Sequence, residues 1–83
     1  MPVETVSGTD FKEKVLDANR PVVVDVWADW CGPCRAVAPN FEAASSTYSE
    51  QAIFLKLNAD ENQDLLKQYK VMGIPTMLYF SHG

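Results

Sequence analysis

A chain of 83 residues has room for one small domain at most. Its composition, 47% hydrophobic and 22% charged, is ordinary for a globular protein, and a net charge of −4 argues against nucleic acid or an anionic membrane surface as the main partner. No apolar run is long enough to span a bilayer, and Met1-Pro2-Val3-Glu4 does not open a signal peptide, so a cytoplasmic location is expected.

In chain order, Val3 to Val6 reads as a short first strand. Thr9 or Asp10 then caps a helix to about Ala18, with Phe11 and Val15 on its buried side, and Asn19-Arg20-Pro21 ends it. Val22 to Trp27 is a nearly continuous apolar run, the pattern of a strand buried on both faces of a helix-flanked parallel sheet. A helix to about Ser49 follows, with Val37, Phe41, Ala44 and Tyr48 as its apolar stripe and a kink expected at Pro39. Ile53, Leu55 and Leu57 alternate with Phe54 and Lys56 in a third strand. Asp60 or Asn62 caps a short helix bearing Leu65, Leu66 and Tyr69, and Gly73 breaks the chain before a fourth strand from Thr76 to Phe80. Strands and helices alternating in this way give an α/β fold, with four strands and three helices.

The chemistry lies in Cys31-Gly32-Pro33-Cys34, directly after the buried strand. Pro33 suits the first turn of a helix, where its missing N–H costs nothing. Cys31 then sits at the helix N-terminus, where the dipole and free N–H groups make it the more acidic thiol. Cys34 lies one turn further on and is placed to close a disulfide with Cys31. The rival reading is half of a zinc site. Zinc takes four ligands, and the chain offers no third cysteine and one histidine, His82, so such a site would have to be shared between two chains. Beyond that alternative, His82 reads as incidental.

Asp25, inside the run Val-Val-Val-Asp-Val-Trp, is the second candidate. Burial raises the pKa of a carboxyl and suits it to proton transfer, whereas an Asp at a strand edge that reaches water would be inert.

The segment from Val26 to Arg35 closely resembles the active-site stretch of thioredoxins, as do Asp25, Pro39 and Gly73-Ile74-Pro75-Thr76. Phe11, Lys56 and Asn58 also match. The resemblance runs from Met1 to Gly83 and implies a single thioredoxin-like domain over 1–83, with a mixed sheet whose last strand is antiparallel to the first three. It implies protein-disulfide reduction by Cys31 and Cys34, cycling between a dithiol and a Cys31–Cys34 disulfide, with no bound cofactor. Asp25 accepts the proton of Cys34 through water, and Lys56 stands near Asp25; otherwise Lys56 is an ordinary solvated strand lysine. Trp30, Gly32, Pro33, Gly73 and Ile74 form an apolar platform around Cys31, and the Ile74–Pro75 bond is expected to be cis, leaving the Ile74 backbone free to pair with an extended substrate. Trp27 reads as packing beneath the site. Gly32-Pro33 adds no cation or donor side chain to steady the thiolate, which favours a reducing over an oxidising potential. The implied partners are disulfide-bearing proteins and a recycling reductase. A redox-inert binding module and a disulfide oxidase or isomerase are the alternatives.

The family continues with a further strand and a final helix that this sequence lacks. Thr76–Phe80 is therefore expected to be an apolar edge strand, open to pairing with a second copy, unless the sequence is part of a longer chain.

Overall fold

The computed structural model describes residues 3–81, so His82 lies outside the described residues. Four strands form one sheet: β1 (Val3–Val6), β2 (Val22–Trp27), β3 (Ile53–Asn58) and β4 (Thr76–Phe80), in the order β1-β3-β2-β4. β3 runs parallel to both β1 and β2, and β4 runs antiparallel to β2. The mixed sheet with a reversed last strand is thus present.

Register decides what each face carries, because successive side chains alternate. Val24 stands opposite Leu55 on one side and Leu78 on the other. Val22, Val24, Val26, Leu55 and Leu57 consequently share a face, and none of them is more than 2% exposed. Phe11 and Val15 cover this face together with Leu65, Leu66 and Tyr69. The Phe11 ring lies 5.5 Å from Tyr69 and 5.6 Å from Phe80, and Tyr69 lies 5.3 Å from Phe80. Tilted and edge-on rings at such separations are favourable beyond their burial. The opposite face carries Asp25, Trp27, Phe54 and Lys56. It is crossed by helix α1 (Gly32–Thr47), whose Phe41 meets Phe54 edge-on at 5.4 Å.

Among the described residues three helical segments are present, but the first is not the α-helix expected from Thr9 or Asp10. Lys12–Leu16 is a single wide π-helical turn, in which the Asp17 N–H donates to the Lys12 carbonyl five residues back (2.8 Å). Neither proposed cap acts as one. The Asp10 carboxylate accepts the Ser7 N–H (2.8 Å) and meets the Lys14 ammonium at 3.1 Å, so it closes the preceding turn instead. Phe11 and Val15 still point inward, as their spacing requires.

Helix α1 runs through Pro39, which is exposed, and it ends at Thr47 rather than Ser49. Its stripe also differs at one end. Tyr48 follows the last helical residue and is 53% exposed, while Ser45, 1% exposed, takes the inward position. Ser45 tolerates burial because its hydroxyl donates to the Glu42 carbonyl (2.6 Å). Helix α2 (Gln63–Gln68) begins after Asn62, as expected, yet the Asn62 side chain does not cap it. That amide accepts the Gly8 N–H and donates to the Asn58 carbonyl, each at 2.9 Å, tying the loop before the π-helical turn to the end of β3.

Among the described residues β4 has a neighbour on one side only, so it is an edge strand as expected. Its Tyr79 is 75% exposed on the α1 side of the sheet.

Candidate active site

Both cysteines are placed by the junction of β2 and α1. Cys31 is the residue capping α1, in extended conformation, and Pro33 falls in the first helical turn. The Cys34 N–H donates to Cys31 Sγ at 3.2 Å. A free N–H at a helix start, aimed at sulfur, stabilises negative charge there. The two sulfurs are joined in a disulfide, with the Cα atoms 5.3 Å apart. Cys31 and Cys34 are 3% and 4% exposed, so the pair sits just beneath the surface while Gly32 and Pro33 are exposed above it.

Behind Cys34 lies a cavity of about 230 Å³. Asp25, Trp27 and Lys56 line it from the sheet, and Cys34, Arg35, Phe41 and Glu42 line it from α1. Asp25 and Lys56 are register partners on neighbouring strands, which brings them to the same face. Asp25 is 4% exposed, and its Oδ1 has no hydrogen-bond partner in the protein. Burial holds the carboxyl above the usual carboxylate range, and the Lys56 ammonium opposes that shift more weakly. Lys56 also reaches the Trp27 ring, with Nζ 5.7 Å from its centroid, within cation–π range. The structure thus gathers Cys34, Asp25 and Lys56 around one space.

The residues assigned to a substrate platform divide into two groups. Trp30, Gly73 and Ile74 line a shallow groove of about 220 Å³ together with Leu66, Val71 and Met72. Trp30 is 68% exposed and Met72 97%. Gly32 and Pro33 lie outside that groove, on the first turn of α1. The Ile74–Pro75 peptide is cis, and Pro75 is half-buried at the start of β4.

Two contacts around the site had no expectation attached to them. The Trp30 indole N–H is shared between the two carboxylate oxygens of Asp60, each at 3.1 Å. The Arg35 guanidinium donates to the Asp29 carbonyl across the turn before the helix. Trp30 and Asp60 are 30 positions apart, so no local pattern pairs them. Lys56 and Trp27 are likewise joined only by strand register. Among the described residues, no group of three or more His, Cys, Asp or Glu side chains is arranged to hold a metal ion.

A model of the thioredoxin family matches residues 2–83. A thioredoxin of Synechocystis is 49% identical over 78 residues, covering 94% of this chain and 73% of that protein. A thioredoxin of Pseudomonas aeruginosa is 43% identical over 81 residues, covering 98% of this chain and 75% of that protein. An M-type chloroplastic thioredoxin of Spinacia oleracea is 42% identical over 81 residues, 98% of this chain and 45% of its own length. A match that begins at residue 2 and continues to residue 83 takes in the strand, the cysteine turn and the cis-proline loop together, and the chain belongs to the thioredoxin family of thiol–disulfide oxidoreductases.

Proposed function

We propose that the two cysteines divide the reaction, with Cys31 as the attacking thiolate and Cys34 as the resolving thiol. The observation that carries this reading is the Cys34 N–H directed at Cys31 Sγ from the first turn of α1. The Cys31 thiolate attacks one sulfur of a target disulfide, forming a mixed disulfide and expelling the other target sulfur as a thiolate. Cys34 gives its proton to Asp25 and attacks Cys31 Sγ. The second target sulfur leaves as thiolate, and the Cys31–Cys34 disulfide remains. Two electrons pass from the chain to the target, and a reductase returns two electrons to the chain.

Asp25 suits the proton-acceptor role because it is buried beside Cys34 with a carboxyl held above its ordinary range. Lys56 moderates that shift from the neighbouring strand. Extended target segments dock on Trp30, Gly73 and Ile74, with Gly32, Pro33 and Pro75 shaping the approach to Cys31. Because Gly32-Pro33 brings no charged or donor side chain to the thiolate, the couple is expected to be reducing rather than oxidising. Residues 1–83 act as one domain around a single core, working in the cytoplasm, and the Thr76–Phe80 edge pairs with a second copy of the chain. Among the described residues no helix is long and apolar enough to cross a membrane.

Turnover of a protein disulfide with a chemical dithiol as electron source tests the reading. Reduction should depend on the chain and fall to the uncatalysed rate in Cys31→Ser. Wild type and Cys31→Ser both turning over at the uncatalysed rate would overturn it and favour a redox-inert binding role.

A further inference from the structure

Among the described residues, two buried side-chain polar atoms lack a hydrogen-bond partner in the protein: Asp25 Oδ1 and Trp27 Nε1. One accepts and the other only donates. Both belong to β2, two residues apart, and so project from the same face of the sheet. Both residues line the cavity that also holds Cys34. A buried polar atom with no partner is costly, so a complementary pair of them on residues lining one space calls for something that bonds to both. The space is sufficient: it measures about 230 Å³, where roughly 10–15 Å³ of such volume holds one water molecule.

We propose that Trp27 is a positioning residue for the resolving step, its indole N–H fixing the water through which the family resemblance has Cys34 give its proton to Asp25. The inference rests on the reading of Asp25 as proton acceptor. The indole N–H donates to the water oxygen, and one water hydrogen is given to Asp25 Oδ1. The remaining lone pair of the water then faces the Cys34 thiol. Cys34 passes its proton to the water while the water passes one to Asp25, so Cys34 becomes a thiolate, Asp25 a neutral carboxylic acid, and the water is regenerated. The Lys56 ammonium, 5.7 Å from the Trp27 ring centroid, holds the ring by its face and leaves the N–H free for this use. The charged or titratable groups around Asp25 are Lys56 from β3, Cys34, Arg35 and Glu42 from α1, and Asp29 from the turn after β2. β4 contributes the neutral Met77 as the register partner of Asp25.

Trp27→Phe keeps an aromatic face for Lys56 and removes the donor. Mixing the reduced chain with an aromatic disulfide in a stopped-flow instrument releases coloured thiolate in two phases, the first from attack by Cys31 and the second from resolution by Cys34. In Trp27→Phe the first phase should be unchanged, which also shows that the variant is folded. The second should slow about tenfold, a modest share of what a positioned base contributes. Its pH midpoint should move upward, because the carboxylate loses a hydrogen bond that favours its charged form. Asp25→Asn should slow the second phase at least as much, and adding Trp27→Phe to it should slow it no further. If Asp25→Asn slows resolution but Trp27→Phe leaves rate and midpoint in place, or slows both phases alike, Trp27 only packs and the proposal fails while the role of Asp25 stands. If Asp25→Asn leaves the second phase unchanged, both fail.

Discussion

At the scale of single residues, the site depends on a carboxyl placed where charge is unfavourable. Asp25 sits among valines on β2, and burial raises its pKa by making the ionised form costlier in the folded chain than in water. The effect on stability has a definite sign. Below the unfolded pKa of about 3.9 the carboxyl is neutral in both states and costs little. As pH rises from there the unfolded chain ionises first, and stability falls until the folded pKa is passed, after which it is level. Asp25→Ala lacks this loss. At pH 7 it should be more stable than wild type by about 1.4 kcal/mol for each unit by which folding raises the pKa, with resolution of mixed disulfides slowed. Urea titrations across pH 3–8 measure both the gain and the missing slope. A variant less stable than wild type at pH 7 would mean that Asp25 is ionised and paired. The sequence alone pointed to Asp25, since a carboxylate is conspicuous in an apolar strand. It pointed to no special role for Trp27, because an unpartnered indole N–H is visible only once the cavity is.

At the scale of elements, the strands were readable because each is a short run rich in apolar residues set between turn or helix signals, from Val22–Trp27 to Thr76–Phe80. The helical segments were less so. Nothing in Asp10-Phe11-Lys12 distinguishes a π-helical turn from an α-helix, since the difference lies in which carbonyl receives the Asp17 N–H. Tyr48 fits the stripe by spacing, but the helix stops one residue short of it. Trp30 meets Asp60 only because two loops converge. Phe11 shows what the π-helical turn is for. It is 4% exposed and joins that turn to Tyr69, just beyond α2, and to Phe80 of β4. Phe11→Ala should therefore lose about 3–5 kcal/mol of stability, read from the denaturant midpoint. A loss under 1 kcal/mol would mean that the three rings do not share one core.

At the scale of the molecule, the sheet is unevenly covered. One face is closed by Phe11, Val15 and the α2 leucines, whereas the other is crossed by α1 and leaves Tyr79 of β4 exposed. The backbone edge of β4 is unpaired among the described residues. An apolar edge of five residues without Lys or Pro is a template for another strand. The 83-residue chain is expected to sediment as a dimer at micromolar concentration. A cooperatively folded monomer across the same range would show that the edge is tolerated as it stands.

The division of labour between the cysteines is tested most directly by trapping. The reduced Cys34→Ser and Cys31→Ser variants are each mixed with a protein disulfide, and the products are weighed intact by mass spectrometry. Cys34→Ser should accumulate a covalent complex through Cys31 that a dithiol dissolves, and Cys31→Ser should accumulate none. A complex that forms with Cys31→Ser and not with Cys34→Ser would contradict the assignment, making Cys34 the attacking sulfur.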